Sequence, residues 1–191
     1  MNTDSLIFPT LVRTYSSYLD NNQCSNLIDY SKDKLSEYKN VFKEEGTALS
    51  TYNNYENILD IFGNNFIDTL ILDIRKYATD ISTRNWETKL SNSWVNIQTK
   101  GSVLKEHTHG SLVTGVFFLK IDEKSNPLYL YNPNPYMYLY GLDDTRNHTA
   151  SKVQVIPKQG DLLLFPGWMS HGSNREVNLS EERIVCSFNY G

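Results

Sequence analysis

Histidines are the side chains of this sequence best suited to bind a metal ion, and there are four of them. His107 and His109 lie in the segment KEHTHGS, one residue apart. On an extended backbone, side chains two residues apart leave the same face with Cα atoms about 7 Å apart, so both imidazoles can reach one cation. An H-x-H pair is equally typical of two surface histidines beside a turn. Taken alone, the pair leaves both interpretations open.

A third histidine and an arginine strengthen the metal interpretation. His171 follows the apolar run and turn of GDLLLFPGWMSHGSN, and Arg183 opens the last apolar segment twelve residues later. Three imidazoles leave half of an octahedral coordination sphere open, and a guanidinium binds a carboxylate through two parallel hydrogen bonds. The combination predicts a site for a chelating dianion and O₂. The alternative for His171 is a loop histidine with a local partner.

The segments that must position these residues change in character near residue 90. Beyond it, short runs rich in aromatic and β-branched residues are bounded by Gly, Pro, Asn and Asp, which is typical of strands. These runs are NSWVNIQT, SLVTGVFFLKI, PLYLYN, KVQVIP, GDLLLFP and RIVCSFNY. A series of this kind, with helices confined to the first part of the chain, predicts an antiparallel sandwich or barrel with helices on one outer face.

Before residue 90 the spacing of apolar residues predicts two amphipathic helices. The first begins after Asp20 or Asn21, which are suitable helix caps. Its expected apolar face is Ile28, Leu35, Tyr38 and Phe42. The expected apolar face of the second is Ile58, Phe62, Phe66, Leu70, Ile74, Tyr77 and Ile81.

The last predicted strand separates a core face from a site face, because side chains alternate along a strand. Ile184, Cys186 and Phe188 share the side expected to meet the helices. Arg183, Val185, Ser187 and Asn189 share the opposite side. A charged residue there is costly unless an anion pairs with it.

Several short motifs within residues 92–190 add family information. They are WVN at Trp94, Gly101, HTH at His107, TGVFFL at Thr114, PKQGDLLLFP at Pro157, His171, and RIVCSFN at Arg183. With these motifs the segment resembles the 2-oxoglutarate- and Fe(II)-dependent oxygenases, in particular a family of small oxygenases of bacteria and marine phages. The helical first half contributes nothing specific to this resemblance.

The resemblance implies a mainly β, α+β fold: a double-stranded β-helix, or jelly roll, of the cupin type with N-terminal helices packed on one sheet. The length of 191 residues, the absence of a linker and the change in character near residue 90 predict a single domain, 1–191, with residues 1–90 as a mainly helical support and residues 91–191 as the catalytic core. His107 and His171 would bind Fe(II), and Arg183 would hold the distal carboxylate of 2-oxoglutarate. With O₂, the enzyme would hydroxylate a C–H bond and release succinate and CO₂. The resemblance includes prolyl or other peptidyl residues among the substrate classes.

Two positions depart from what the resemblance implies. The second ligand is usually the carboxylate of H-x-D/E, whereas this sequence has His109, so the three metal ligands would all be neutral imidazoles and the site more positive. Phe118 occupies the position of a tyrosine that helps hold 2-oxoglutarate in prolyl-hydroxylase-type enzymes. Ser187 and Asn96 are the replacement donors, and an ordinary strand side chain with a backbone partner is the alternative for each.

These departures leave two rival functions open. The first is a three-histidine, cupin-type dioxygenase that does not use 2-oxoglutarate. The second is a non-catalytic jelly-roll binding or assembly protein that has kept a metal site. Arg183 favours the 2-oxoglutarate enzyme over the first of these.

Composition limits the partners. With 18 basic and 22 acidic residues the formal net charge is −4, which does not support binding to nucleic acid or to an anionic membrane. Cys24 and Cys186 form no C-x-x-C motif, and no signal peptide or membrane span is apparent, so we expect a cytoplasmic protein, in the host cytoplasm if a virus encodes it. The oligomeric state stays open, a homodimer included. Residues 132–152 either cover the barrel mouth or pack against it, and His148 within them is expected to be exposed.

Overall fold

Two antiparallel β-sheets lie against each other in the computed structural model, which describes residues 9–37, 48–52, 57–83, 89–134, 136 and 149–191. The larger sheet has the strand order β1-β8-β5-β10-β4-β3-β2, and the smaller has the order β7-β6-β9. The strands are β1 Arg13–Tyr15, β2 Ser36–Glu37, β3 Ala48–Ser50, β4 Leu90–Thr99, β5 Val113–Lys120, β6 Leu128–Tyr131, β7 Lys152–Val155, β8 Leu162–Pro166, β9 His171–Gly172 and β10 Glu182–Tyr190. The helices are α1 Asn21–Ser31 and α2 Asn64–Ile81, with 3₁₀ turns at Lys32–Lys34 and Ile58–Phe62.

The six strands predicted after residue 90 are confirmed, and β10 lies at the centre of the larger sheet between β4 and β5. Its two faces are both buried. Ile184, Cys186 and Phe188 are at most 1% exposed and belong to the core beneath the helices. Gly115 is paired with Phe188, and a Cβ there would collide with the phenylalanine ring, so glycine permits the close packing of β5 on β10.

Both helices pack on the outer face of the larger sheet, as predicted. Asp20 is the N-cap of α1 and forms a capping box with Gln23, which satisfies backbone donors at the start of the helix. Helix α2 buries Leu70, Ile74 and Tyr77 completely in the same core. Gly63, with a φ of 75°, separates α2 from the preceding 3₁₀ turn, so the predicted single stripe from Ile58 to Ile81 spans two elements.

The predicted face of the first helix is wrong in part. Cys24, Leu27 and Ser31 are the buried residues of α1, whereas Ile28 is only partly buried. Leu35 lies beyond the helix in an extended conformation, because the chain turns there into β2. Tyr38 and Phe42 lie outside the described residues.

Three short strands in the first ninety residues were not predicted: β1 at one edge of the larger sheet and β2 and β3 at the other. They contain two or three residues each, too few to show an alternation of apolar and polar side chains. The N-terminal part therefore extends the sheet as well as supporting it.

Cys24 and Cys186 are both buried and unpaired. None of the helices in the described ranges has the length and apolar character that crossing a membrane requires.

Candidate active site

His107 and His171, which are distant in sequence, meet through the backbone. They form an antiparallel bridge in which each backbone N–H donates to the other residue's carbonyl at 3.0 Å. The side chains of such a directly opposed pair emerge next to each other on one face. Gly172 permits the bridge, since a Cβ at that position would lie 3.0 Å from the backbone of Glu106 and from the carbonyl oxygen of Leu104.

His109 completes a cluster of three imidazoles. Its backbone N–H donates to the carbonyl of Gly167 at 2.8 Å, which fixes the segment beside the turn after β8. One potential ligand nitrogen from each of the three histidines lies within 4.8 Å of the other two. The ring centroids are 4.2 Å apart for His107 and His171, 5.1 Å for His107 and His109, and 5.2 Å for His109 and His171. This spacing allows all three rings to bind a single cation.

Hydrogen bonds select the nitrogen that faces the cluster in two of these rings. The Nδ1 of His107 lies 2.9 Å from the carbonyl oxygen of Lys105, and the Nδ1 of His171 lies 3.0 Å from that of Met169. A carbonyl oxygen only accepts, so Nδ1–H is the donor in both cases. Nε2 is therefore the nitrogen through which each ring would bind a metal ion, as in many protein metal sites.

The environment keeps the three imidazoles neutral. Burial is the main cause that lowers the pKa of His107, of His171 and of His109, the last to about 4. Repulsion from the neighbouring His107 lowers the pKa of the other two further. Neutral imidazole is the form that binds metal ions, and three such ligands suit Fe(II).

Arg183 is buried in the same cavity with a neutral partner. The side chain is 4% exposed, and its Nη1 donates to the Oε1 of Gln98 at 2.7 Å. Burial lowers the pKa of Arg183 to about 10, so the guanidinium remains charged at neutral pH. No carboxylate among the described residues pairs with it. The positive charge is thus available to an anion from solution.

The cavity that contains these groups has a volume of about 330 Å³, enough for a small diacid beside a metal ion. Its walls come from the inner faces of β4, β5 and β10 and from the histidine segments. The main wall residues are Trp94, Asn96, Gln98, Ser102, Thr114, Val116, Arg183, Val185, Ser187 and Asn189. The Oγ of Ser102 is buried and has no hydrogen-bond partner in the described part of the chain, as expected of a group that a ligand would satisfy. The residues present therefore fit both a divalent cation and a dianion.

The structure brings together all six residues that the sequence singled out. His107, His109, His171, Arg183, Ser187 and Asn96 all line this cavity. Phe118 does not; it is buried in the apolar layer between the two sheets and lines a separate cavity.

Sequence reasoning missed two residues of the site. Gln98 shares a strand face with Asn96, and only the register of β4 on β10 shows that it lies opposite Arg183. Ser102 follows β4 in a turn and carries no sequence signal. His148 and most of residues 132–152 lie outside the described ranges.

The match to a known family agrees with this geometry. Residues 92–189, just over half of the chain, match the family described as "Putative 2OG-Fe(II) oxygenase". The chain belongs to this family and is a 2-oxoglutarate-dependent oxygenase, an enzyme class that uses Fe(II), 2-oxoglutarate and O₂. No curated protein matches the sequence.

Solved structures of the same class share the fold. HygX from Streptomyces hygroscopicus, crystallised with nickel, 2-oxoglutarate and hygromycin B, is 16% identical, with a TM-score of 0.60 over 95% of this chain and 83% of HygX. A prolyl-4-hydroxylase from Pseudomonas putida is 13% identical, with a TM-score of 0.57 over 94% of this chain and 92% of its own. The viral collagen prolyl hydroxylase of Paramecium bursaria chlorella virus 1, crystallised with 2-oxoglutarate, is 12% identical, with a TM-score of 0.56 over 94% of each chain. At these identities the likeness concerns the jelly-roll fold.

Proposed function

We propose that this oxygenase hydroxylates a C–H bond, with His107, His109 and His171 as the ligands of Fe(II) and Arg183 as the anchor of 2-oxoglutarate. The observation that carries the proposal is a single cavity that holds three neutral imidazoles and a buried guanidinium without a carboxylate partner among the described residues. The overall reaction would convert substrate, O₂ and 2-oxoglutarate into hydroxylated substrate, succinate and CO₂. We further propose residues 91–191 as the catalytic core and residues 1–90 as its support.

When bound, Fe(II), O₂ and 2-oxoglutarate supply the oxidising chemistry, and the chain supplies position and shielding. The bridged backbones of His107 and His171 hold two imidazoles at a fixed separation, and His109 adds the third. Arg183 would pair with the distal carboxylate, while Ser187 and Asn96 offer hydrogen bonds from the same walls. Val116 and Val185 make parts of the walls apolar, which keeps water from competing for these groups.

Three histidines in place of two histidines and a carboxylate alter the charge of the site. The bound cation would keep both of its positive charges, because neutral imidazoles offset neither. Together with Arg183, this favours a dianionic cosubstrate over a neutral one. The same charge argues against a cationic group at the reacting end of the substrate.

For the substrate we propose a prolyl or other peptidyl residue. Two proteins that share the fold are prolyl hydroxylases by name. In this chain, the Trp94 ring lies 6.0 Å from that of His109 and 5.0 Å from that of Tyr52, which is partly exposed at the cavity wall. An aromatic pair beside the metal ligands suits the apolar face of a pyrrolidine ring.

Succinate release tests the enzyme proposal. Protein loaded with Fe(II) without oxygen, then mixed with 2-oxoglutarate, air and a proline-containing peptide library, should form succinate and add one oxygen atom to a peptide. His107→Ala and His171→Ala should each abolish both signals and reduce bound iron. His148→Ala is the matched control, since the sequence predicts that histidine to be outside the triad.

Two results would favour the rival functions. Oxygen consumption with an organic substrate in the absence of 2-oxoglutarate would identify a three-histidine, cupin-type dioxygenase that does not use 2-oxoglutarate. Saturable partner binding that persists after metal removal, with no oxygen consumption under any condition, would identify a binding protein. Succinate formation without peptide oxidation would retain the enzyme class and exclude the peptidyl substrate.

A further inference from the structure

The buried partner of Arg183 is an amide rather than a carboxylate. Gln98 on β4 lies directly opposite Arg183 on β10 in the sheet register, and the two side chains are 6% and 4% exposed. Their hydrogen bond, Nη1 to Oε1, is 2.7 Å long, within the range expected of a bond from a charged donor. Among the described residues it is the hydrogen bond that fixes the direction of the guanidinium.

Gln98 is itself held rigidly. The Nδ2 of Asn178, a fully buried residue, donates to the backbone carbonyl of Gln98 at 3.0 Å and to that of Thr99 at 3.2 Å. The backbone of Asn178 is in turn bonded to Gly101 and Ser102 in the turn after β4. The end of β4 therefore has little freedom, and the amide of Gln98 starts from a fixed backbone.

An amide partner and a carboxylate partner would have different effects on the cavity. Either one accepts a hydrogen bond from Arg183 and orients it. A carboxylate would also cancel the positive charge and occupy the face of the guanidinium that two parallel hydrogen bonds require. An amide leaves the charge uncompensated and the remaining N–H donors available.

We propose that Gln98 is the positioning residue for diacid binding: it orients Arg183 toward the cavity and, because it is neutral, leaves the guanidinium charge for the distal carboxylate of the cosubstrate. This inference rests on the proposed function, and it assigns the residue that sets the preference of the site for a diacid over a monoacid. Gln98 acts through Arg183 rather than on the metal ligands.

Gln98→Glu tests the charge and Gln98→Leu tests the orientation. The measurement is calorimetric titration, without oxygen, of protein loaded with Mn(II). The two ligands are 2-oxoglutarate and 2-oxobutyrate, a 2-oxo acid without the distal carboxylate. Gln98→Glu should weaken 2-oxoglutarate binding by about tenfold or more, because the new carboxylate pairs with Arg183. Gln98→Leu should weaken it by about tenfold through loss of the orienting bond. Both variants should bind 2-oxobutyrate and Mn(II) within about threefold of the parent.

The matched control is Gln159→Glu, which makes the same change in an exposed turn and should leave all three affinities unchanged. A second check combines Gln98→Leu with Arg183→Met. If Gln98 acts through Arg183, the double variant should bind 2-oxoglutarate no more weakly than Arg183→Met alone.

The outcomes separate this inference from the proposed function. A parent protein that does not bind 2-oxoglutarate overturns both. A parent that binds it, with Gln98→Glu and Gln98→Leu equally tight, overturns the role of Gln98 alone. A loss of affinity that is the same for 2-oxobutyrate as for 2-oxoglutarate would show a structural role and equally overturn the assignment. Should Gln98→Glu fail to fold, Gln98→Leu carries the same comparison of the two ligands.

Discussion

Replacing Arg183 with methionine should weaken diacid binding strongly while changing the stability of the protein very little. Methionine fills a similar volume without charge, so the fold is expected to close around it. Arg183 is 4% exposed, and an ordinary apolar residue at such a site would cost several kcal/mol when truncated. The guanidinium differs, because its burial is itself unfavourable.

The free energies can be worked from the site. Lowering the pKa of Arg183 to about 10 corresponds to about 3 kcal/mol of burial cost, at about 1.4 kcal/mol per pKa unit. The hydrogen bond to Gln98 stabilises the buried guanidinium by about 1.5–3 kcal/mol. The two nearly cancel, so Arg183→Met should shift the free energy of unfolding by no more than about 2 kcal/mol. Loss of the carboxylate–guanidinium pair should weaken 2-oxoglutarate binding by about 2–5 kcal/mol, or roughly 30- to 5,000-fold.

Thermal unfolding and calorimetry measure both effects on the same samples. In the parent loaded with Mn(II), 2-oxoglutarate at about 100 times its Kd should stabilise the fold by about 2.7 kcal/mol and raise Tm by roughly 5–10 °C. In Arg183→Met that increase should fall to about a third or less, with Mn(II) affinity retained. Arg75→Met, an exposed arginine on helix α2, is the matched control and should respond as the parent does. A variant that binds 2-oxoglutarate within threefold of the parent would refute the anchor role.

Three further predictions concern the metal ligands: the backbone bridge that positions two of them, the replacement of one, and their protonation. Gly172→Ala should weaken Mn(II) binding by about tenfold, because the new Cβ, 3.0 Å from the Glu106 backbone, must push apart the bridge between His107 and His171. The control is Gly110→Ala, whose Cβ would have nothing within 4 Å and should leave the affinity unchanged. Equal Mn(II) affinities for the two variants would contradict this role of Gly172. His109→Asp should retain one metal ion per chain by elemental analysis, because a carboxylate suits the same position; complete loss of metal would mean that His109 is needed for packing. The apoprotein should lose stability in urea titrations as pH falls from about 6.5 toward 4. Histidines of the unfolded chain bind protons near pH 6.5, whereas burial lowers the pKa of the three histidines in the folded protein, that of His109 to about 4. Falling pH therefore favours unfolding by up to about 1.4 kcal/mol per pH unit for each histidine. A triad variant with an unchanged pH slope would argue against neutral, buried imidazoles.

Six of the seven strands described from residue 90 onward could be predicted because each carries a short apolar run between turn residues, whereas β9 has only two residues. The face assignment of β10 followed from alternation alone, and both of its rows lie as predicted, with Cys186 toward the helices and Ser187 toward the cavity. The strands before residue 90 could not be predicted, since β2 has only two residues and its pairing depends on distant partners.

For the site, residue type and spacing identified the histidines and the arginine but not their supports. The bridge between His107 and His171 depends on the close packing of two backbone segments, which Gly172 allows. The local sequence contains no pattern that predicts this contact. Gln98 illustrates the same limit: a polar residue in a strand has no visible partner until register places Arg183 opposite it. The alternation of side chains shows which face of a strand a residue lies on, whereas the pairing register is needed to show which residue lies opposite it.

The shared site for Fe(II) and 2-oxoglutarate is tested most directly by anomalous diffraction at the iron edge, on crystals grown without oxygen with both ligands. We expect one iron peak between His107, His109 and His171, and density for a five-carbon diacid that extends from the iron to Arg183. An iron peak elsewhere in the molecule, or a diacid that leaves Arg183 bound to Gln98 alone, would contradict the shared site.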